Sequence, residues 1–382
     1  MPLIKYQEVE KIIESLTLQP LKVKEVNVFS SVNMIVAEDV FSQEDIPKQN
    51  IAAQDGYAIS IHEGESYEIV NSNELKKGQA AYVMTGMQVP DGANSIVRIE
   101  EAKVVGNRLY PAREPKLWRD IEKAGEDIKA GEILLKKGSF VSPYHVPLLI
   151  ASGVKAIKVY DICAGIVSIG DELVPYDREG GVKDSIAPMI MSLLPFASKK
   201  YRLIGDDQEK IKQTLDELSK DCDLIFTIGG SSVGKKDFTK RAISEVGQLL
   251  YEGVQTNVIK RGGLGIVNGK PVIALPGRIV SAAAVFNAEG LHVISKMIGA
   301  ELRKYIEAEL GEDIVVKHSM NSTFLFKLDG KIAYPLRWGT GLYSELAKAD
   351  AFGFLERNRE YKKGDKITVQ LLWKGSPGSY CL

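Results

Sequence analysis

Cysteine and histidine are scarce: three and four residues among 382. Cys163, Cys222 and Cys381 stand far apart along the chain, so neither a disulfide framework nor a zinc cluster has the spacing it needs. No apolar run approaches the roughly 20 residues that cross a bilayer. The amino-terminal stretch MPLIKYQEVEKII reads as an amphipathic helix without a cleavable signal, so no membrane partner is expected and a cytoplasmic address is. Net charge is also nearly absent, with 49 basic residues against 50 acidic and a balance of −1. No overall field draws the protein to nucleic acid, and any anionic ligand must be met by local groups. What is present is a globular composition, 45% hydrophobic and 26% charged, on a chain too long for one core.

From about Ile162 to Gly299 short apolar runs alternate with helical segments, which predicts a parallel sheet flanked by helices over residues 161–305. Its strands read as Ile162–Ile169, Leu224–Ile228 and Val272–Leu275, each running into a glycine turn on one rim. Asp206 or Asp207 caps a helix carrying Ile211, Leu215 and Leu218 on one face, a second helix starts near Lys236, and Ser281 opens a third that runs to Met297. Ligands of open α/β sheets bind beyond the carboxyl ends of the strands, so these loops mark the expected cleft. Residues 46–140 show short alternating runs broken by glycine and asparagine, which predicts an inserted β-rich domain. The flanking segments 21–45 and 141–160 would then meet as a linking domain. Residues 1–20 supply a helix against the α/β domain, and 306–382 a β-barrel-like terminal domain with strands near Ile314–Val316, Thr323–Leu328 and Ile367–Leu372.

Three loops carry candidate chemistry. In DLIFTIGGSSVGKKDFTK, Gly229, Gly230, Ser232 and Gly234 free backbone N–H groups and hydroxyls for an oxyanion or phosphate, and Asp237 follows. The spacing is neither a Walker loop nor GxGxxG. In SIGDELVPYDREGGVKDS, Asp171 and Glu172 at a strand end suit Mg2+ held against a phosphate. In ALPGRIVSA, Pro276, Gly277, Arg278 and Ser281 combine a helix start with an arginine, which favours anions. Upstream, AAQDGYAI centres on Asp55, YVMTGMQVPDGA on Thr85 and GEDIKAG on Asp127. Ordinary turn chemistry explains each motif singly; their occurrence together favours a site.

In this order the motifs DGYA, MTGMQVPDGA, GEDI, GDEL, DS, GGSSVGKKD, IK and LPGRIVSA, followed by GTGLYSELAKADA, resemble the MoeA/gephyrin family of molybdopterin molybdenumtransferases over nearly the whole chain. The resemblance implies a four-part homodimeric subunit whose cleft sets the α/β domain of one copy against the smaller domains of the other. It implies Mg2+-dependent insertion of molybdate into adenylylated molybdopterin with release of AMP. Carried over by motif, Asp55, Thr85, Asp127, Glu172 and Asp237 are catalytic, and Asp171, Glu172, Asp206 and Asp237 hold the metal. Gly170, Asp184, Ser185, Gly229, Gly230, Ser232, Gly234, Lys260, Pro276, Gly277, Arg278, Ser281 and Ser344 bind substrate.

Four departures fall on functional motifs. Ile169 replaces a hydroxyl residue, and Ile186 replaces the asparagine of DSN. Lys260-Arg261-Gly262-Gly263-Leu264 stands where the family has K-P-G-K-P, and Pro276-Gly277-Arg278-Ile279 where it has P-G-N-P. Arg261 and Arg278 are the candidates to restore the lost positive charge. Were both turned from the cleft, a diverged paralogue that binds pterin or nucleotide without insertion would be favoured; a scaffold protein is the other alternative.

Overall fold

A computed structural model describes residues 2–230 and 238–376. Helix α1 (Tyr6–Ser15) begins where the Lys5 amide donates to Glu8 Oε2 at 2.8 Å, and it buries Val9 and Ile13 one turn apart. That face lies on the α/β unit, where Tyr6 Oη donates to the Ala288 carbonyl at 3.2 Å.

The central seven-stranded sheet contains β1 (Lys22–Asn27), β2 (Ala156–Ile169), β3 (Ala197–Ile204), β4 (Leu224–Gly229), β5 (Gln248–Tyr251), β6 (Gly263–Val267) and β7 (Lys270–Leu275). Strand β2 serves two neighbourhoods. Its first six residues alternate in and out and pair antiparallel with β1; from Ile162 onward it is almost wholly buried between parallel β3 and β4. The near-continuous apolar run ICAGIVSI is what a strand covered on both faces requires. Strand β7 continues the parallel set, and β6 and β5 close the edge antiparallel.

Helices α2 (Ile186–Leu193), α3 (Gln208–Asp221) and α4 (Phe238–Val246) cover the sheet, as does a nearly continuous helical rod. The rod comprises α5 (Ile279–Val285), a π-helical turn Phe286–Gly290 and α6 (Leu291–Ile298). Between the two possible caps the structure selects Asp207, whose Oδ1 accepts from the Glu209 and Lys210 amides at 3.0 and 3.2 Å. The rod starts at Ile279, two residues before the predicted Ser281. The Pro276-Gly277 turn releases the chain early, and the Ala282 amide bonds the Arg278 carbonyl at 2.8 Å to close the first turn. The expectation that the cysteines are remote is also overturned. Parallel pairing of Ala164 with Leu224 carries Cys163 to Cys222, and their Sγ atoms stand 2.8 Å apart as free thiols.

Residues 56–111 form a six-stranded sheet in the order Ser95–Arg98, Gly56–Ile59, Gln79–Val83, Tyr67–Ile69, Arg108–Pro111, Ala102–Val105. A forked ion pair from Arg98 to Asp120, at 2.9 and 2.8 Å, ties this sheet to the chain that leaves it. The segments either side share a core of Val28, Val36, Val40, Leu135, Val141, Leu149, Val154, Ile157 and Val159. After residue 304 a closed five-stranded barrel is built from Tyr305–Leu310, Ile332–Pro335, Ser322–Asp329, Ala351–Leu355 and Lys366–Leu371. Ile314–Val316 lies outside it, paired with Arg359–Tyr361. The mixed α/β architecture with an inserted β sheet and a terminal barrel is the predicted fold class.

Trp373, 2% exposed, fastens the barrel to the sheet unit. Its amide donates to Asn287 Oδ1 and its indole Nε1 to the Leu193 carbonyl, each at 2.7 Å, and its ring meets Phe140 at 5.5 Å. Truncating a buried tryptophan costs about 3–5 kcal/mol. Trp373→Ala is therefore expected to lower the urea midpoint markedly; a loss below about 1 kcal/mol would show that this contact does not join the units.

Candidate functional site

The strand ends meet because their registers match. Ile169 lies opposite Gly229 and Ile228 opposite Leu275, so β2, β4 and β7 deliver their loops to one level. Backbone proximity there demands glycine. Gly229 has φ 83°, and a methyl group on it would stand 2.5 Å from the Ile169 carbonyl oxygen. One on Gly277 would lie 3.5 Å from Gly229 Cα, so the second and third loops nearly touch.

Between these loops opens a cavity of about 690 Å³, the size of a site for a nucleotide-scale ligand. The first loop contributes Gly170 and Glu172; a methyl group on Gly170 would stand 2.7 Å from Glu172 Oε2, so the carboxylate folds back over the turn. Its continuation brings Lys183, Asp184 and Ser185, and Asp206 enters from the loop after β3. Gly229 and Gly230 come from the second loop, and Pro276, Gly277, Arg278 and Ser281 from the third. Lys260 and Arg261 reach the cleft from the segment before β6. Twelve sequence-predicted residues thus share one cavity. Ser232, Gly234 and Asp237 lie outside the described residues.

Other expected residues are placed differently. Asp171 does not line the cavity; its Oδ1 accepts the Asp206 amide at 3.1 Å, so it shapes the rim where a metal ligand was expected. Ser344 is exposed in the helix Tyr343–Lys348 and leaves the cleft to its neighbour Tyr343, because consecutive helical residues face different directions. Asp55 and Thr85 do come together: Asp55 Oδ1 accepts the Thr85 amide at 2.7 Å and its hydroxyl at 2.9 Å. The amide bond, then the hydroxyl, holds the Asp55 carboxyl below the ordinary carboxylate range. This pair and exposed Asp127 sit on the inserted unit, away from the cavity of their own chain.

Lys183, Asn257, Thr340 and Tyr343 also line the cleft, though none stood among the predicted site residues. Lys183 and Tyr343 directly precede predicted Asp184 and Ser344, and that adjacency was the available signal. Tyr343 bridges units: its Oη lies 3.0 Å from Ser185 Oγ. Arg278 lies against Gly341, where a methyl group would stand 2.9 Å from its Nη2, and the Val280 amide bonds the Thr340 carbonyl at 3.0 Å. Chain leading out of the barrel therefore closes one wall.

Chemically, Lys183, Lys260, Arg261 and Arg278 give an anion four cationic contacts, while Glu172 and Asp206 supply carboxylate oxygen. Among the described residues no three His, Cys, Asp or Glu side chains gather as a complete metal cage. Two carboxylates suit Mg2+, which keeps waters and takes further oxygens from a phosphate. Asp184, 4% exposed, is committed elsewhere: Oδ1 accepts the Ala187 amide at 3.2 Å and Oδ2 the Tyr201 hydroxyl at 2.7 Å. Burial, then the Asp184 carboxylate, pushes the Tyr201 phenol well up, which keeps it a donor.

Taken together, the fold and cleft define a multidomain α/β protein that binds an anionic, nucleotide-sized ligand at strand carboxyl ends. Residues 4–153 match the family model "MoeA N-terminal region (domain I and II)", and residues 165–296 match "Probable molybdopterin binding domain". A relative from Methanocaldococcus jannaschii, named for molybdopterin biosynthesis, is 32% identical over 97% of this chain and 98% of its own. The molybdopterin molybdenumtransferase of Haemophilus influenzae is 27% identical over 94% and 96%. The crystal structure of the molybdopterin biosynthesis MoeA protein from Pyrococcus horikoshii OT3 superposes with TM-score 0.78 at 26% identity, covering 97% of this chain and all of that one. The chain belongs to the MoeA family.

The bonds of Asp184 test whether it acts on the framework or on the ligand. Asp184→Ala is expected to cost about 1–3 kcal/mol in urea denaturation, because it strips a partner from Tyr201 and from the first turn of α2. An unchanged midpoint with lost ligand binding would assign Asp184 to substrate contact instead.

Proposed function

We propose that this protein is a molybdopterin molybdenumtransferase of molybdenum cofactor biosynthesis. In this reading it takes adenylylated molybdopterin and molybdate, releases AMP and leaves molybdenum on the pterin dithiolene. The observation that carries the reading is the convergence of Lys183, Lys260, Arg261 and Arg278 with Glu172 and Asp206 on one cavity between glycine loops. The substrate joins two phosphate-bearing halves and must meet a tetrahedral oxyanion, so it needs several anion contacts in a protein of net charge −1.

Glu172 and Asp206 would hold Mg2+ at the phosphate side, and the ion, when bound, supplies positive charge to phosphate oxygens. Gly229 and Gly230 offer backbone N–H groups to the same oxygens. Lys260 provides a compact charge, and the guanidinium forks of Arg261 and Arg278 provide planar paired donors where relatives carry other residues. Both arginines line the cleft, which favours this reading over a paralogue that has lost its anion contacts. The hydroxyls of Ser185 and Ser281 give directed contacts.

Asp55, Thr85 and Asp127 enter this scheme from a second copy, since they lie away from their own cavity. A homodimer is also supported by the surface of the linking unit. There the helix His145–Ala151 packs on the turn Val28–Ser31, and Phe29, Tyr144 and Ile150 stay exposed.

The deciding experiment incubates the protein with adenylylated molybdopterin, Mg2+ and molybdate and follows AMP release together with molybdenum incorporation. Both are expected; release without incorporation would favour the non-inserting paralogue. Glu172→Gln, at an exposed position, is expected to leave the melting temperature unchanged and to reduce Mg2+-dependent turnover by at least tenfold. Full turnover in that variant would remove Glu172 from the mechanism. Sedimentation at micromolar concentration is expected to show a dimer, and a stable monomer would sink the shared-cleft account.

A further inference from the structure

Behind the cationic segment Lys260–Gly263 lies a carboxylate that the proposed chemistry does not use. Glu289 is fully buried on the π-helical turn between α5 and α6. Its Oε2 accepts the Tyr251 hydroxyl at 2.6 Å. Its Oε1 is buried and has no hydrogen-bond partner among the described residues. That oxygen faces the segment directly, because a methyl group on Gly262 would stand 3.2 Å from Oε1 and 3.0 Å from Val285 Cγ2. One residue on, a methyl group on Gly263 would lie 3.3 Å from Lys240 Cε. Glycines here let the backbone seat on the acid, and π turns shift side chains out of helical register, often at functional sites.

We propose that Glu289 is a positioning residue for the Lys260–Gly263 segment, and that its charge state sets how firmly that segment holds an anion in the cleft. The molybdate part of this inference rests on the function proposed above. The groups facing Glu289 are Tyr251 on β5, Lys240 on α4 and Tyr6 on α1; the segment itself carries Lys260 and Arg261, which line the cleft. Lys240 Nζ donates to the Glu252 carbonyl at 2.6 Å.

Burial disfavours the charged form and pushes the Glu289 carboxyl up to about 7, against the smaller opposing effects of Tyr251 and Lys240. Below that pH the acid is neutral and can lie against Gly262. Above it, a desolvated charge with one hydrogen bond stands behind the cationic segment. The charge opposes anion binding and draws the backbone toward a donor or water. Both effects weaken the site as pH rises.

The test titrates molybdate into wild type and Glu289→Gln by calorimetry between pH 6 and 8.5. The amide keeps the shape and can still accept from Tyr251. Wild-type affinity is expected to fall about fivefold across neutrality, and the variant to hold the low-pH affinity throughout. Parallel pH profiles would overturn the proposal. If neither protein binds molybdate at any pH, the molybdate reading of the cleft fails, and a ligand-free measurement decides Glu289 alone. Hydrogen exchange of residues 259–263, corrected for intrinsic base catalysis, is expected to lose protection above pH 7 only in wild type. Equal protection in both proteins would end the positioning role. Should Glu289→Gln fold poorly, Tyr251→Phe removes the bond that favours the carboxylate and is expected to move the wild-type transition to higher pH. An unmoved transition in that variant would count against the proposal equally.

Discussion

Ile169, Gly229 and Leu275 finish neighbouring parallel strands at one level, and the rest of the molecule is arranged around that register. Parallel pairing sends every connection back across a face of the sheet, so each strand end must be followed by a turn and a helix, and the turns share a rim. A slip of one residue would bury side chains meant for the other face and separate the loops. The glycines at 229 and 277 are what let three such turns approach within contact distance. The rim, once fixed, locates Glu172, Asp206, Arg278 and Ser281 together although more than a hundred residues separate the first from the last.

The second constraint is charge in a protein that has almost none to spare. Cations and carboxylates gather at the cleft while the surface elsewhere pairs its ions locally, as Lys220 does with Asp216 and Arg359 with Glu356. Exposed pairs of this kind contribute little to stability, but they leave no competing anion-attracting face. The same economy separates ligand-facing groups from framework groups. Asp184 sits among cleft residues yet uses both oxygens to hold Tyr201 and the start of α2.

Replacement of K-P-G-K-P and P-G-N-P by arginine-bearing versions changes the form of the positive charge more than its amount. Lys260 remains, and Arg261 and Arg278 stand in the cleft with it. Arg278 reaches its place because the backbone near Gly341 has no side chain to obstruct it, so chain leading to the barrel is part of the wall that tolerates the change. The buried Glu289 behind Gly262 belongs to the same design, since a segment rich in glycine takes its shape from what lies under it.

Hydrophobic period and turn residues are local properties, and they sufficed for the fold class. The apolar run ending at Ile169, the helical recurrence of Ile211, Leu215 and Leu218, and glycine after each strand all reappear in the structure. Family motifs likewise pointed to loops that share the cavity. Direction was not legible. Whether Asp171 or Glu172 faces the cleft depends on which oxygen the Asp206 amide captures, and whether Ser344 or Tyr343 does depends on the orientation of a short helix. Cys163 and Cys222 seemed remote because 58 residues lie between them, until parallel pairing of β2 and β4 brought the thiols together. Glu289 gave no signal, because a glutamate within a helical sequence reads as exposed until the packing around it is known. The sequence by itself determined the elements and the loops that carry charge, since those follow from neighbours a few residues away. Only the tertiary structure decided which side chains share the cavity, because that depends on contacts made across hundreds of residues.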